Sequence, residues 1–176
     1  RIPFQRLGEY RMNLTGATAL ITGASSGIGA EYARAFAARG AHLILVARRV
    51  DRLEALAEQI RSAHGVEVDV VGFDLAAVGA GRALADHLGA RQIDVLINNA
   101  GFGISGLFVT EDPERTQQEL QLNIATLVEL TRAYLPGMVD RDFGVVVNIA
   151  STASFQPVPG LAVYGATKAF VRSFTE

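Results

Sequence analysis

The chain contains no cysteine among its 176 residues. This absence excludes disulfide bonds, thiolate catalysis and cysteine-ligated metals, although it does not identify the cellular compartment. The three histidines, His42, His64 and His87, are scattered and lack the spacing of metal ligands. We therefore expect them at the surface or at strand edges, and we expect no metal site.

Excess charge and long apolar runs are also missing. Sixteen Lys and Arg residues stand against 18 Asp and Glu residues, giving a formal net charge of −2, and the basic residues are dispersed among acids. No apolar run approaches the ~18 residues that span a bilayer, and residues 1–11 lack the apolar stretch of a signal peptide. We therefore expect a soluble, cytoplasmic protein that binds neither nucleic acid nor membrane.

What the sequence does have is enough apolar material for one globular domain. It is 49% hydrophobic and 19% charged, which allows a sizeable core. We assign this domain to residues 14–176. Residues 1–13 contribute no recognisable element and are interpreted as an N-terminal extension or tag, with Met12 as the natural start; a genuine arm that packs against a neighbour is the alternative.

Apolar segments rich in β-branched residues alternate with helical patterns along the chain. The predicted strands are 17–21, 42–46, 66–73, 95–98 and 145–150, and the predicted helices are 30–39, 51–63, 83–88 and 113–139. An apolar stripe is expected in the long helix through Leu120, Ile124, Leu127 and Leu130. This alternation predicts an α/β doubly wound parallel sheet, the Rossmann fold, with ligands bound at the carboxyl ends of its strands.

A glycine-rich segment joins the first predicted strand to the first helix, with the sequence Thr22-Gly23-Ala24-Ser25-Ser26-Gly27-Ile28-Gly29. Gly23 is expected to permit a tight turn, Gly27 to let the backbone approach a diphosphate, and Gly29 to allow close helix packing. The helix N-terminus would then face the anion. The spacing is Gly-x-x-x-Gly-x-Gly, so the interpretation as a dinucleotide cradle depends on its strand-to-helix context.

Tyr164 and Lys168 are four residues apart, which places both side chains on one face of a predicted helix. An ammonium held beside a phenol stabilises the phenolate, so such a tyrosine can exchange protons near neutral pH. The pair is common by chance, and two ordinary helix-surface residues are the alternative. Ser151 stands thirteen residues before Tyr164.

These motifs, in this order, resemble those of the short-chain dehydrogenase/reductase family from about Leu14 to Glu176. Thr22, Gly23, Gly27 and Gly29 match the family's cofactor loop, and Asn98-Asn99-Ala100-Gly101 matches its strand-end motif. Asn123, Ser151, Tyr164 and Lys168 match its catalytic tetrad. In this family the specificity loop and further strands follow the Tyr164 helix, whereas this sequence ends at Glu176, so we expect a fold truncated before its last strands.

The resemblance implies a chemistry for the tetrad. Ser151 and Tyr164 would hydrogen-bond a substrate carbonyl oxygen while hydride reaches its carbon, and Tyr164 would supply the proton. Lys168 would also bond the nicotinamide ribose, and Asn123 would hold a water that completes the proton path. A nucleophilic Ser151 is the rival chemistry, but no Gly-x-Ser-x-Gly elbow surrounds it.

The end of the second strand bears on cofactor choice. A carboxylate there would bind the ribose hydroxyls of NAD, but Ala47 stands at that position and Arg48-Arg49 follow. Guanidinium pairs bidentately with phosphate, so NADP(H) is expected over NAD(H), with Arg48 on the 2′-phosphate and Ser25 assisting. The alternative is a solvated pair of arginines at a helix entry.

Asp74 matches the family's adenine-contacting aspartate, with the backbone of Leu75 beside it; a helix N-cap is the simpler alternative. The expected cofactor-binding set is Thr22, Gly23, Ser25, Ser26, Gly27, Ile28, Gly29, Arg48, Arg49, Asp74, Leu75, Asn99, Ala100, Gly101, Tyr164 and Lys168.

The sequence therefore predicts an NADP(H)-dependent oxidoreductase that interconverts a ketone or oxoacyl carbonyl and a secondary alcohol. A lipophilic substrate is favoured because the candidate pocket residues are apolar, namely Phe102, Ile104, Phe108, Phe155, Val158 and Leu161. One alternative is an NADP(H)-binding regulatory protein without catalysis. Another is a structural partner whose long helix forms an oligomer face; the family pairs through that helix, so a homodimer or homotetramer is expected.

Overall fold

The computed structural model describes residues 13–176, so the expected extension at residues 1–13 lies outside the described part except for Asn13. Five parallel strands form one sheet: β1 (Thr18–Thr22), β2 (His42–Ala47), β3 (Val68–Gly72), β4 (Val95–Asn98) and β5 (Val145–Asn148). Their order is β3-β2-β1-β4-β5. The chain builds outward from β1 to β3 and then returns to place β4 on the other side of β1. The crevice between the carboxyl ends of β1 and β4 is therefore the topological switch point.

Helices connect the strands, and the predicted doubly wound α/β fold is confirmed. They are α1 (Gly27–Ala37), α2 (Val50–His64), α3 (Ala80–Leu88), α4 (Pro113–Leu120), α5 (Leu127–Asp140) and α6 (Ala162–Thr175). A π-helical turn, Gln121–Thr126, joins α4 to α5, and short 3₁₀ turns occur at Phe108–Thr110 and Thr152–Ser154. Within residues 13–176, no helix has both the length and the apolar composition needed to cross a membrane.

The central strands bury side chains on both faces of the sheet. In β1, Ala19 and Ile21 pack on one side with α1 and α2, where Leu53 and Ile60 are buried. Leu20 points to the opposite side and packs with α3 and α5. Because successive side chains of a strand alternate between faces, a continuous apolar run fills both cores at once.

The expected apolar stripe of the long helix is only partly correct. Leu127 and Leu130 are buried, whereas Leu120 and Ile124 are half-exposed. The polar residues Asn123 and Thr126 are buried in their place. The π-helical turn explains the difference, because its wider turn rotates α5 relative to α4 and ends the 3.6-residue repeat that the sequence suggests.

The histidines lie where the sequence predicted them. His64 and His87 are exposed, and His42 is half-buried at the start of β2, where its Nδ1 accepts a hydrogen bond of 3.1 Å from the Glu67 backbone. In the described part of the chain, no group of three or more His, Asp or Glu side chains is arranged to hold a metal ion.

Asp94 fastens the amino ends of three strands. Its Oδ2 accepts a 3.0 Å bond from the Thr18 backbone at the start of β1, and its own carbonyl accepts a 2.9 Å bond from Val145 at the start of β5. Its Oδ1 lies 3.5 Å from Nη2 of Arg141 and accepts a 2.7 Å bond from Gln92. The Asp94 side chain is only 6% exposed, so these partners replace its lost hydration.

We expect Asp94→Ala to lower the free energy of unfolding by about 1–3 kcal/mol, because buried donors lose their charged acceptor. Urea denaturation measures the change. Asp69→Ala is the matched control: its ion pair with Arg91 has side chains 53% and 50% exposed, so its loss should change stability by less than about 1 kcal/mol. Equal effects of the two substitutions would contradict the role assigned to Asp94.

Candidate active site

A cavity of about 510 Å³ opens at the carboxyl ends of β1, β2 and β4, at the topological switch point. Its lining includes most of the residues predicted to bind a cofactor. From that set it contains Gly23, Ser25, Ser26, Ile28, Arg48, Arg49, Asp74, Leu75, Asn99, Ala100 and Gly101, and it adds Ala47, Phe73, Ala76, Phe102 and Leu122. Most of the predicted cofactor residues therefore converge on one concave surface, whereas Thr22, Gly27, Gly29, Tyr164 and Lys168 do not line it.

Two glycines allow the turn after β1 to pack against the segment after β4. Gly23 has φ +67°, and a Cβ there would lie 2.8 Å from Asn99 Nδ2 and 2.9 Å from Ala100 Cα. A Cβ on Gly29 would lie 2.6 Å from the Gly23 carbonyl oxygen. By contrast, the Cβ position of Gly27 faces open space, as expected where a ligand approaches the backbone.

Thr22 lies beneath this cavity, and its hydroxyl joins the ends of β1 and β4. The buried hydroxyl accepts 3.0 Å bonds from the backbone N–H groups of both Asn99 and Ala100, and it donates to the Ile97 carbonyl at 3.2 Å. Asn99 Nδ2 donates in return to the Thr22 carbonyl at 3.0 Å. One hydroxyl offers one donor and two acceptor positions, so every hydrogen-bonding position of the Thr22 hydroxyl is occupied. These bonds fix the backbone beneath the cavity.

Arg49 is bonded to the glycine-rich turn. Its Nη2 donates to Ser25 Oγ at 2.9 Å and to Ser26 Oγ at 2.8 Å, and its Nε donates to Ser25 Oγ at 3.2 Å. Ser26 occupies the N-cap position of α1, but its side chain makes no cap bond to the helix. A guanidinium thus stands beside the start of α1, and Arg48, the arginine that the sequence assigned to phosphate, lines the same cavity.

Asp74 forms a turn and is not the N-cap of a helix. Its Oδ1 accepts a 3.1 Å bond from the Ala76 backbone, while α3 begins only at Ala80. The neighbouring Leu75 carbonyl accepts a 2.8 Å bond from Thr126 in the π-helical turn. This bond joins the Asp74–Leu75 side of the cavity to the π-helical turn that carries Asn123.

Lys168 is buried on α6, with 6% of its surface exposed. Its Nζ donates to the Ile149 carbonyl at 2.7 Å and lies 5.7 Å from the centroid of the Tyr164 ring. Burial lowers the pKa of the Lys168 ammonium. A Cβ on Gly101 would lie 3.5 Å from Nζ, so this ammonium lies behind a residue that lines the 510 Å³ cavity.

Asn123 is buried in the π-helical turn, and its amide is fully engaged. Oδ1 accepts a 3.2 Å bond from the Phe102 backbone N–H, while Nδ2 donates to the Phe102 carbonyl at 2.8 Å and to Thr167 Oγ1 at 3.0 Å. The expectation from the sequence was that this side chain holds a water. In the structure it joins the loop after β4 to α6, one residue before Lys168.

Ser151 begins the 3₁₀ turn against which α6 packs. Its Oγ accepts a 3.2 Å bond from the Ala153 backbone, which fixes the side-chain rotamer and leaves the hydroxyl hydrogen free to donate. Its carbonyl accepts bonds from the backbone and the hydroxyl of Ser154, at 3.0 and 2.6 Å. The serine is therefore held at the end of β5 by the same turn that supports the Tyr164 helix.

The apolar residues expected to form one substrate pocket are separated. Phe102 lines the 510 Å³ cavity, whereas Phe155, Val158 and Leu161 line a second cavity of about 570 Å³ beside α6. Phe108 is 64% exposed in its 3₁₀ turn. The sequence could not separate these sites, because apolar character alone does not specify which cavity a side chain faces.

Sequence reasoning missed Glu119, the last buried residue of α4. Its side chain is fully buried, and its Oε2 accepts a 3.1 Å bond from the Ile104 backbone. Burial raises the pKa of the Glu119 carboxyl; the Ile104 bond opposes this, Glu111 adds to it, and Arg115 opposes it. The available signal was an acidic residue four positions before Asn123, directly before the apolar Leu120.

The fold is a Rossmann-type α/β sheet with a cavity at its switch point, and the Tyr164–Lys168 pair lies against the loop that follows β4. The family model described as short chain dehydrogenase matches residues 17–176. The chain belongs to the short-chain dehydrogenase/reductase family, as its motifs predicted.

Solved structures and curated relatives agree with this assignment. A short-chain dehydrogenase from Sphingobium yanoikuyae, in complex with NADPH, is 44% identical with a TM-score of 0.86, over 90% of this chain and 63% of that one. A bulky-bulky ketone specific alcohol dehydrogenase from Comamonas testosteroni is 41% identical with a TM-score of 0.86, over 93% and 65%. Very-long-chain 3-oxoacyl-CoA reductase-B from Danio rerio is 34% identical over 94% of this chain and 54% of its own. The chain thus spans about half the length of the curated relatives it matches.

We expect Thr22→Val, which keeps the side-chain shape, to lower the free energy of unfolding by about 1–3 kcal/mol because two backbone N–H groups lose their acceptor. Thr22→Ser is the matched control and should stay within about 0.5–1 kcal/mol of the wild type, since it keeps the hydroxyl and removes only a methyl group. Urea denaturation compares the two variants. A valine variant as stable as the serine variant would contradict the role given to the hydroxyl.

Proposed function

We propose that this chain carries the nucleotide-binding and catalytic centre of an NADP(H)-dependent oxidoreductase that interconverts a ketone or oxoacyl carbonyl and a secondary alcohol. The observation that supports this proposal best is that Asn123 and Lys168 both lie close to Gly101. A Cβ on Gly101 would lie 2.9 Å from Asn123 Oδ1 and 3.5 Å from Lys168 Nζ. Asn123 and Lys168 do not line the cavity themselves, but they lie directly behind Gly101, which does.

The cavity fits a nicotinamide dinucleotide. Open space above Gly27 and the start of α1 suits a diphosphate, and Asp74 and Leu75 stand where the resemblance puts adenine. When bound, the nicotinamide supplies hydride to a carbonyl carbon. A regulatory protein that only binds NADP(H) would need neither Ser151 nor the Tyr164 hydroxyl, so catalysis is the function that the complete tetrad favours.

The protein's own part is proton transfer and positioning. Tyr164 would donate its proton to the developing alkoxide, and Ser151 would donate a hydrogen bond to the same oxygen. The Lys168 ammonium, held by the Ile149 carbonyl, lies 5.7 Å from the centroid of the Tyr164 ring and would help to orient it and to bind the nicotinamide ribose. In the direction of alcohol oxidation the Tyr164 phenolate accepts the proton.

Preference for NADP(H) is supported by Arg49. Its hydrogen bonds to Ser25 and Ser26 hold a guanidinium in the lining of the cavity, and the neighbouring Ala47 offers no carboxylate that would repel a 2′-phosphate. The Sphingobium yanoikuyae relative was solved with NADPH. We assign the phosphate to Arg49 with Arg48 as a second contact, whereas the sequence alone favoured Arg48.

A substrate with a large apolar body is proposed. Two relatives are named for such substrates, very-long-chain 3-oxoacyl-CoA and bulky-bulky ketones. In this chain the Phe102 ring lines the cavity and lies 4.7 Å from the Arg115 guanidinium. The predicted homodimer or homotetramer and the cytoplasmic location stay predictions.

Replacing Arg49 tests the cofactor assignment. We expect Arg49→Ala to weaken NADPH binding about 10- to 150-fold, because a charge-assisted hydrogen bond contributes about 1.5–3 kcal/mol, while NADH binding changes little. Cofactor fluorescence titration of the complete protein measures both constants. Arg48→Ala, measured alongside, separates the two arginines: a larger loss there restores the assignment made from the sequence, and an equal loss for NADPH and NADH contradicts phosphate recognition.

Tyr164→Phe tests the chemistry. The variant keeps the ring but removes the acid, so ketone reduction by the complete protein should fall about 10²- to 10⁴-fold while NADPH binding is unchanged. Tyr134→Phe is the matched control, because the buried Tyr134 hydroxyl has no hydrogen-bond partner among residues 13–176. A Tyr164→Phe enzyme that keeps more than about a tenth of its activity would remove Tyr164 from the mechanism.

A further inference from the structure

The loop that follows β4, residues 101–106, lies against the Tyr164 ring. A Cβ on Gly103 would lie 2.7 Å from Tyr164 Cδ2 and 2.9 Å from its Cγ, closer than any side chain could fit. The Gly103 backbone is thus in direct contact with the ring. A shift of this loop therefore changes the space available to the Tyr164 ring.

Two side chains hold the loop on either side of Gly103. Asn123 makes both a donor and an acceptor bond to the backbone of Phe102, at 2.8 and 3.2 Å. Glu119 accepts the 3.1 Å bond from the backbone of Ile104. Asn123 belongs to the tetrad that the motifs identify, whereas Glu119 has no part in that tetrad.

Glu119 is an unfavourable choice if packing alone is required. The residue is fully buried, and Oε1 has no hydrogen-bond partner in the part of the chain that the structure describes. Burying a carboxylate with one oxygen unpartnered is destabilising, and an apolar side chain of similar size would fill the space at lower cost. Neighbouring charges do not neutralise it either, because Glu111 acts against its ionisation and Arg115, which lies over the Phe102 ring, only partly compensates.

We propose that Glu119 is a positioning residue: its bond to the Ile104 backbone holds Gly103 against the Tyr164 ring and so keeps the Tyr164 hydroxyl aligned with substrate. This inference rests on the proposed role of Tyr164 as proton donor. Glu119 is too deeply buried behind the loop to act on substrate itself. Its contribution lies in orientation, to which reaction rates are sensitive at the scale of 1 Å.

The test compares Glu119→Leu with Glu119→Gln in the complete protein. Leucine keeps the packing but has no acceptor, so kcat should fall about 10- to 100-fold while the NADPH dissociation constant stays within about twofold. Glutamine keeps an acceptor oxygen and should retain kcat within about threefold. Glu114→Leu, an exposed position in the first turn of α4, is the control and should leave kcat unchanged.

Glycine variants test the same contact from the other side. Gly103→Ala adds a methyl group against the Tyr164 ring and should reproduce the loss of kcat with NADPH affinity kept. Gly106→Ala, in the same loop, meets nothing within 4 Å and should behave as the wild type. The proposal is overturned if Glu119→Leu keeps wild-type kcat, if Glu119→Gln loses as much as leucine, or if the leucine variant weakens NADPH binding in proportion.

A measurement without turnover separates this inference from the proposed function. In NMR spectra, the Gly103 Hα resonances should carry a ring-current shift from Tyr164 that persists in Glu119→Gln and collapses in Glu119→Leu. If the wild type reduces no carbonyl compound with NADPH, the proposed function fails. The Gly103 resonances then still show whether Glu119 holds the loop against the Tyr164 ring. An unchanged Gly103 shift in the leucine variant overturns the assignment of Glu119.

Discussion

The amide of Asn123 is the link on which the carboxyl end of the sheet and its neighbouring helix α6 depend. It bonds the loop after β4 through Phe102 and the helix α6 through Thr167, so one side chain sets the distance between two elements far apart in sequence. It lies in a π-helical turn whose buried side chains, Gln121, Asn123 and Thr126, are all polar, and π-helical turns occur frequently at functional sites. The Tyr164 and Lys168 side chains lie on the helix that this amide anchors.

Two ionisable groups, Lys168 and Glu119, are buried near Asn123. Their burial lowers the stability of the fold, but each holds a backbone segment in place. Burial lowers the pKa of Lys168 and raises that of Glu119, so in each case it favours the neutral form. Each group keeps a single main-chain partner at 2.7 or 3.1 Å. Neither arrangement is the most stable way to fill its space, but both fix a backbone segment that lines the site.

Much of the fold and part of the site could be predicted from the sequence. β-Branched runs identify parallel strands because such strands are buried on both faces, and the glycine spacing identifies the turn after β1 because only glycine tolerates the approach of Asn99 and Ala100. The π-helical turn could not be predicted, since its register depends on packing against α6. The sequence favoured Arg48 for the phosphate and did not predict that Arg49 bonds to Ser25 and Ser26, because that contact depends on the three-dimensional position of the turn after β1.

The hydrogen bonds at the two ends of the sheet have different roles. At the amino end, Asp94 joins β1, β4 and β5. Its charged side chain is hydrogen-bonded and ion-paired, so this contact stabilises the fold. At the carboxyl end, Thr22 fastens the same central strands with neutral hydrogen bonds and leaves the space above them open. Substitutions at the amino end should therefore change folding without changing chemistry. At the carboxyl end, folding and chemistry are coupled, because the hydrogen bonds that join the ends of β1 and β4 also shape the wall of the cavity.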